Sequence, residues 1–286
     1  MMHRLSLVVL TVGVLCVQAQ GETAVVRDSV YSAALGRMCF FQVLLPSDYR
    51  DTQQYPVLYL LHGLAGGYTD WTVRVPLRTM AEPYGVIIVM PGAGDSWYVN
   101  SATNRNDLYE DFLVQDLTQY IERKYPADTS RRAIAGLSMG GYGAVRLALR
   151  HTGRFALAGG FSSALSFPRD LDSLGFYQAS GFLESSLNAA FGSLRGEALA
   201  QYDVLALAGQ ASAQNAPFIF LETGIQDAYT RFLEAHRELV TIFSRRGVTY
   251  EYHEVPGGHT WTFWESSMRH FLRVLGERLK AGPSAP

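Results

Sequence analysis

Ala133-Ile134-Ala135-Gly136-Leu137-Ser138-Met139-Gly140-Gly141-Tyr142-Gly143 is the stretch from which the rest of the chain can be read. Arg132 to Ala135 has the character of a short buried strand and Met139 to Arg150 that of a helix. Between them stands Gly-x-Ser-x-Gly. A chain that reverses from strand to helix within a residue or two strains the backbone at Ser138, and the flanking glycines leave room for it. The Ser138 hydroxyl is thereby lifted clear of the strand. The first N–H groups of the following helix face the same point with a partial positive charge, which favours an oxyanion forming there.

On either side of it, apolar strand-like runs alternate with amphipathic helix-like ones, the pattern of a mainly parallel sheet with helices on both faces. Ala24 to Tyr31 and Arg37 to Leu45 read as an antiparallel pair, and Pro56 to Leu61 and Gly85 to Met90 as buried strands. The 3.6-residue period predicts a helix over Asp107 to Tyr125, ending before Pro126. Further strands are expected at Phe155 to Phe161, Pro217 to Leu221 and Val248 to Val255, and further helices at Ala228 to Arg246 and Thr262 to Lys280. From Ser162 to Ala216 the periodicity weakens, apart from a helical piece at Phe182 to Phe191, and this segment reads as an insertion above the sheet. A strand, a nucleophile turn and a helix in this order define the fold class as α/β, of the α/β-hydrolase type.

Serine is a poor nucleophile at its own pKa and needs a base, which in this class follows the last strand. Of seven histidines, His151, His236 and His270 fall in helices, His253 in a strand, His62 before the serine, and His3 at the extreme N-terminus. His259 remains, in Pro256-Gly257-Gly258-His259, immediately after the last expected strand. The acid that orients it should follow an earlier strand, and Asp227 fits; Glu222 and Asp203 are rivals, and Asp227 also suits a plain helix cap. The oxyanion needs two N–H donors. Met139 supplies one. The loop His62 to Gly67 supplies the other through Leu64, with Gly63 or Ala65 as substitutes.

Four segments together carry a family resemblance: Tyr55-Pro56-Val57-Leu58-Tyr59-Leu60-Leu61-His62-Gly63, Tyr109-Glu110-Asp111-Phe112, Arg132 to Ala144, and Gly258-His259-Thr260-Trp261-Thr262-Phe263-Trp264. Over about Arg37 to Leu275 the chain resembles the Putative esterase family of α/β hydrolases. That family includes esterase D and S-formylglutathione hydrolase, feruloyl and acetylxylan esterases, enterochelin esterases and mycolyltransferases. The resemblance implies Ser138, Asp227 and His259 as a triad, Leu64 and Met139 as the oxyanion hole, and Trp97, Tyr98 and Trp261 near the mouth of the site. His62 and Gly63 are counted with those three as substrate-contacting residues. The expected activity is hydrolysis of a small-molecule or carbohydrate-linked acyl ester. Transfer of the acyl group to a sugar or other alcohol, or a non-catalytic binding role, are the alternatives.

Composition narrows the partners. Hydrophobic residues make up 48 %, enough for a large core and too many for a disordered chain. A net charge of −2 with no Lys/Arg-rich stretch argues against nucleic acid. No His-Glu-x-x-His or comparable ligand spacing occurs, and neither a metal nor an organic cofactor is expected. Arg4, the apolar run Leu5 to Val17 and the small residues up to Ala19 read as a signal peptide over 1–19. That run is shorter than the ~20 residues a membrane span requires. The expectation is a secreted or periplasmic protein without a stable membrane span, with one catalytic domain over 20–281 (insertion about 162–216) and a tail at 282–286. Once the leader is removed, Cys39 is the one cysteine left, in a strand-like stretch.

Overall fold

The computed structural model describes residues 25–170, 181–193 and 197–280, so the leader expected over 1–19 and the tail over 282–286 lie outside the described residues. Alternation of side chains decides how the strands sit. In Tyr55–Leu61, Tyr55, Val57, Tyr59 and Leu61 enter one hydrophobic core while Leu58 and Leu60 enter another on the opposite face. A strand buried on both sides must lie inside a sheet covered by helices, which is why it reads as continuously apolar.

The described strands are β1 (Val25–Ser32), β2 (Arg37–Leu44), β3 (Tyr55–Leu61), β4 (Ile87–Pro91), β5 (Ala127–Leu137), β6 (Leu157–Phe161), β7 (Phe218–Gly224) and β8 (Tyr250–Val255). They form one sheet in the order β1-β2-β4-β3-β5-β6-β7-β8. β2 runs antiparallel to both β1 and β4, and the pairings from β4 through β8 are parallel. Helices Met139–Arg150 and Thr230–Arg246 contribute to the first core; Asp70–Arg74, Leu77–Ala81 and Trp261–Arg278 contribute to the second. This is the α/β-hydrolase architecture, a mostly parallel sheet with helices on both faces.

Three local differences from the sequence reading have physical causes. β5 begins at Ala127 rather than Arg132, because backbone pairing of Ala127 with Tyr55 extends a strand whose first residues are polar. The two short helices after Gly67 hold the buried residues Trp71, Leu77 and Met80, but five residues are too few to display a helical period. The helix expected from Asp107 starts at Tyr109 and passes through a π-helical turn, Phe112–Leu117, before resuming as Thr118–Lys124. There the Val114 carbonyl accepts from the Thr118 hydroxyl (2.9 Å) and from Arg154, side chains that interrupt the regular ladder.

Between β6 and β7 the described part of the segment read as an insertion contains helices Gly181–Phe191, Glu197–Ala200 and Val204–Gln210. It is tied to the rest through the central helix. Tyr142 donates its hydroxyl to Tyr202 O (2.7 Å), and Arg146 donates to Gln201 O (3.1 Å). No helix among the described residues is long and apolar enough to cross a membrane.

Glu110, from the Tyr109-Glu110-Asp111-Phe112 segment, anchors the far end of that central helix. Its buried carboxylate accepts from Arg146 Nη1 and Arg150 Nε, and pairs with His151 Nε2, each at 2.7 Å. Burial by itself would raise this carboxyl's pKa, but the bonds from His151 and Arg146 and the neighbouring charges outweigh it and hold it at about 2. Since Arg146 is itself 1 % exposed, removing Glu110 leaves a buried guanidinium without its carboxylate partner. Glu110→Ala should therefore destabilise the fold by about 3–5 kcal/mol in chemical denaturation. Because the folded-state value lies below the ordinary 4.5, Glu110's contribution is complete above pH 4.5 and lost as pH falls toward about 2. Wild type should lose stability over that interval more steeply than Glu110→Ala.

Candidate active site

Ser138 occupies a backbone of φ 53°, ψ −118°, a left-handed conformation that an L-residue adopts only under constraint. The constraint is crowding. A side chain at Gly136 would lie 2.5 Å from the Gly140 backbone, and one at Gly140 would lie 2.5 Å from His62 O. Strand, helix and the loop after β3 thus meet at van der Waals distance, and two glycines permit it. The Ser138 backbone is pinned on both sides: its N–H donates to Phe161 O (2.9 Å), and its carbonyl accepts from Tyr142 N–H (3.0 Å) and Ala164 N–H (3.1 Å).

The Ser138 hydroxyl lies 3.0 Å from His259 Nε2, and His259 Nδ1 lies 2.9 Å from Asp227 Oδ2. With a carboxylate on its Nδ1 side, the imidazole carries its proton there and accepts from the serine at Nε2. The other Asp227 oxygen accepts from Tyr229 N–H (2.9 Å). Burial by itself would raise the Asp227 pKa, but the bonds from His259 and Tyr229 and the attraction to His259 bring it below the ordinary range. The helix after it starts at Thr230, so Asp227 stands before that helix and its carboxylate is shared between a turn and the imidazole. Both rivals are committed elsewhere. Glu222 accepts from Ser267 Oγ and pairs with His270 Nδ1 (2.8 Å each), and Asp203 caps Val204–Gln210 and pairs with Arg169.

Sequence reading missed how the Asp227 and His259 loops are joined. Gln226 N–H donates to Gly257 O (2.9 Å), and the Gln226 side chain accepts from Gly257 N–H. Ile225 N–H donates to Val255 O (3.0 Å), extending the β7–β8 pairing to the edge of the site. A side chain at Gly224 would strike Gly257, so the glycines around His259 let two loops lie against each other. No pattern in the chain singles out Gln226; its partner is about thirty residues away and the contact exists only in three dimensions.

Gly63, Leu64, Ser138 and His259 line a cavity of about 430 Å³. Trp97, Phe167, Leu183, Phe232 and Trp261 are among its apolar lining residues, and Asp70 and Arg74 are charged ones. Met139, first residue of its helix, has an N–H with no intrahelical acceptor and sits next to the serine. Ala65 N–H donates to Asp95 Oδ1 (2.8 Å) and is therefore occupied. The substrate-contact expectations divide. Gly63, Trp97 and Trp261 line the cavity, whereas His62 and Tyr98 are buried and do not. Trp97 and Tyr98 both adopt left-handed backbone, at φ 55° and 56°. Trp97 packs edge-on against Tyr142 and Phe167, while the Tyr98 hydroxyl donates to His62 O (2.8 Å). Two adjacent aromatic residues that look alike in sequence thus serve different layers. Among the described residues, no group of three His, Cys, Asp or Glu side chains could hold a metal ion.

The profile of the Putative esterase family matches residues 32–275. An acetyl esterase of Caldicellulosiruptor saccharolyticus is 26 % identical over 259 residues, covering 84 % of this chain and 94 % of that protein. Esterase Rv1288 of Mycobacterium tuberculosis strain H37Rv is 32 % identical over 254 residues; the match covers 80 % of this chain but 54 % of that longer protein. Among solved structures, Staphylococcus aureus FphF, a fluorophosphonate-binding serine hydrolase, superposes with a TM-score of 0.77 at 25 % identity, covering 90 % of this chain and 99 % of that one. A family profile spanning most of the sequence, on a sheet and helix arrangement shared with a serine hydrolase, makes the chain a member of the Putative esterase family and a carboxylic ester hydrolase.

Proposed function

We propose that the protein is a serine esterase acting through an acyl-enzyme on Ser138. The observation that carries this reading is the unbroken hydrogen-bonded line from Ser138 Oγ through His259 to Asp227. Ser138 Oγ attacks the acyl carbonyl and passes its proton to His259 Nε2. The oxyanion is received by the N–H groups of Met139 and Leu64. The intermediate collapses as His259 returns the proton to the leaving alcohol, and the acyl group stays on Ser138. Water then attacks that ester and gives its proton to His259, which passes it to Ser138 Oγ as the acid and the free serine are released. Asp227 holds the imidazole in the productive tautomer and stabilises its charged form.

The apolar wall formed by Trp97, Phe167, Leu183 and Phe232 supports an organic acyl or alcohol group sheltered from water. The basic, apolar and small-residue order of residues 1–19 supports export to the periplasm or beyond. N-terminal sequencing of the mature protein should begin after Ala19.

A fluorophosphonate probe should label wild type and leave Ser138→Ala unlabelled; retained labelling rejects the nucleophile. With p-nitrophenyl acetate, Ser138→Ala should lose on the order of 10⁶-fold in kcat. Asp227→Asn should lose on the order of 10⁴-fold, while Glu222→Gln, whose carboxylate serves Ser267 and His270, keeps its activity; the reverse order would move the acid to Glu222. Adding sugar or simple alcohol acceptors should leave the free acid as the main product. A predominance of transferred ester would make the enzyme an acyltransferase.

A further inference from the structure

His62 is 1 % exposed, lies outside the cavity lining and makes no bond to Ser138, His259 or Asp227, yet both of its ring nitrogens are engaged. We propose that His62 is a positioning residue: its neutral imidazole sets the plane of the Gly63–Leu64 peptide and so turns the Leu64 N–H toward the oxyanion. This rests on the acyl-enzyme reading of Ser138.

The tautomer follows from the partners. Ala93 N–H donates to His62 Nε2 (3.1 Å), so that nitrogen is an acceptor and the ring proton sits on Nδ1. Nδ1 then donates to Gly63 O (2.8 Å). Gly66 N–H donates to the same oxygen (3.1 Å), and the Tyr98 hydroxyl fastens the preceding carbonyl, His62 O. A charged ring would aim a proton at the Ala93 N–H. Burial lowers the pKa of His62, against the weaker opposing effects of the bond to Gly63 O and of the Asp70 and Asp95 charges.

The one cis bond among the described residues is Phe167-Pro168, so Gly63–Leu64 is trans, and its C=O and N–H point in opposite directions. An oxygen held from one side by His62 and Gly66 therefore turns the Leu64 N–H to the other. A side chain at Gly63 would come within 2.6 Å of the Leu137 side chain and 3.7 Å of Ser138 Cβ, so this peptide is pressed against the nucleophile turn. The next three N–H groups are all held: Ala65 by Asp95, Gly66 by Gly63 O and Gly67 by Asp70. Leu64 N–H alone of these four has no partner among the described residues. A donor fixed in advance acts on the charge that develops in the transition state, so its misplacement should lower kcat and leave KM nearly unchanged.

The test measures kcat and KM for p-nitrophenyl acetate, with thermal melts, in wild type, His62→Phe, His62→Asn and Tyr98→Phe. His62→Phe, folded, should lose roughly 10- to 100-fold in kcat, less than deleting an oxyanion donor outright. His62→Asn places an amide nitrogen two bonds beyond Cβ, where Nδ1 stands, and should recover most of that loss. Tyr98→Phe removes one hydroxyl and should show a smaller fall of the same kind, which keeps the test decisive if His62→Phe does not fold. A folded His62→Phe or Tyr98→Phe with wild-type kcat, a loss confined to KM, or a His62→Asn no better than His62→Phe would overturn the proposal. Wild type that neither turns over the ester nor is labelled at Ser138 would instead reject the functional reading, and the inference with it.

Discussion

The left-handed backbone at Ser138 is the constraint on which the rest of the site depends. A parallel strand and the helix that crosses back over it are joined here without a connecting loop, so β5 and Met139–Arg150 must come together at Gly136 and Gly140. That contact leaves no volume for a side chain at either position. Strain of this kind costs about 1–3 kcal/mol and persists only where the surroundings over-determine it. Bonds to Phe161, Ala164 and Tyr142 provide that surrounding, two of them from a neighbouring strand and the loop beyond it. The nucleophile turn is held by the sheet as a whole and not by its own five residues.

The same economy of contact appears on either side. Toward β8, Gln226 and Gly257 join the loops of the acid and the base, so the Asp227 to His259 distance is set by strand pairing continued past the end of the sheet. Toward β4, His62, Tyr98 and Asp95 fasten the loop after β3 to the loop after β4. Each loop is held by bonds to a neighbour in addition to its own internal turn bonds. The loops can therefore be rich in glycine and still have one conformation, because the entropy of a Gly-rich segment is removed by bonds to elements that are already ordered.

Much of this was legible from local pattern. The eight described strands follow from short apolar runs bounded by turn residues, and the principal helices from a period of 3.6. Met139–Arg150 coincides with its expected bounds, since a strained serine and a long run of buried small and aliphatic residues delimit it. The order of Ser138, Asp227 and His259 along the chain fits a triad, and the structure brings those side chains within hydrogen-bonding distance. His62 and Tyr98 show where that reasoning ends. Both stand beside residues that do line the cavity, and adjacency in sequence carries no information about which layer a side chain enters, least of all at Trp97 and Tyr98, where the backbone is left-handed.

By itself, then, the sequence determined the class of fold and the family of chemistry, because apolar periodicity and a Gly-x-Ser-x-Gly turn are local properties written within a few residues. Tertiary structure decided which carboxylate reaches His259, since Asp227, Glu222 and Asp203 are equivalent as residue types and differ only in the partners that surround them. It also decided the shape of the cavity, to which the segment between β6 and β7 contributes Ala164, Phe167, Phe182 and Leu183 from a stretch with weak periodicity. Of these, Phe167 packs edge-on against Trp97, which packs in turn against Tyr142, and packing between distant segments is a property of volume and distance that no one-dimensional pattern records.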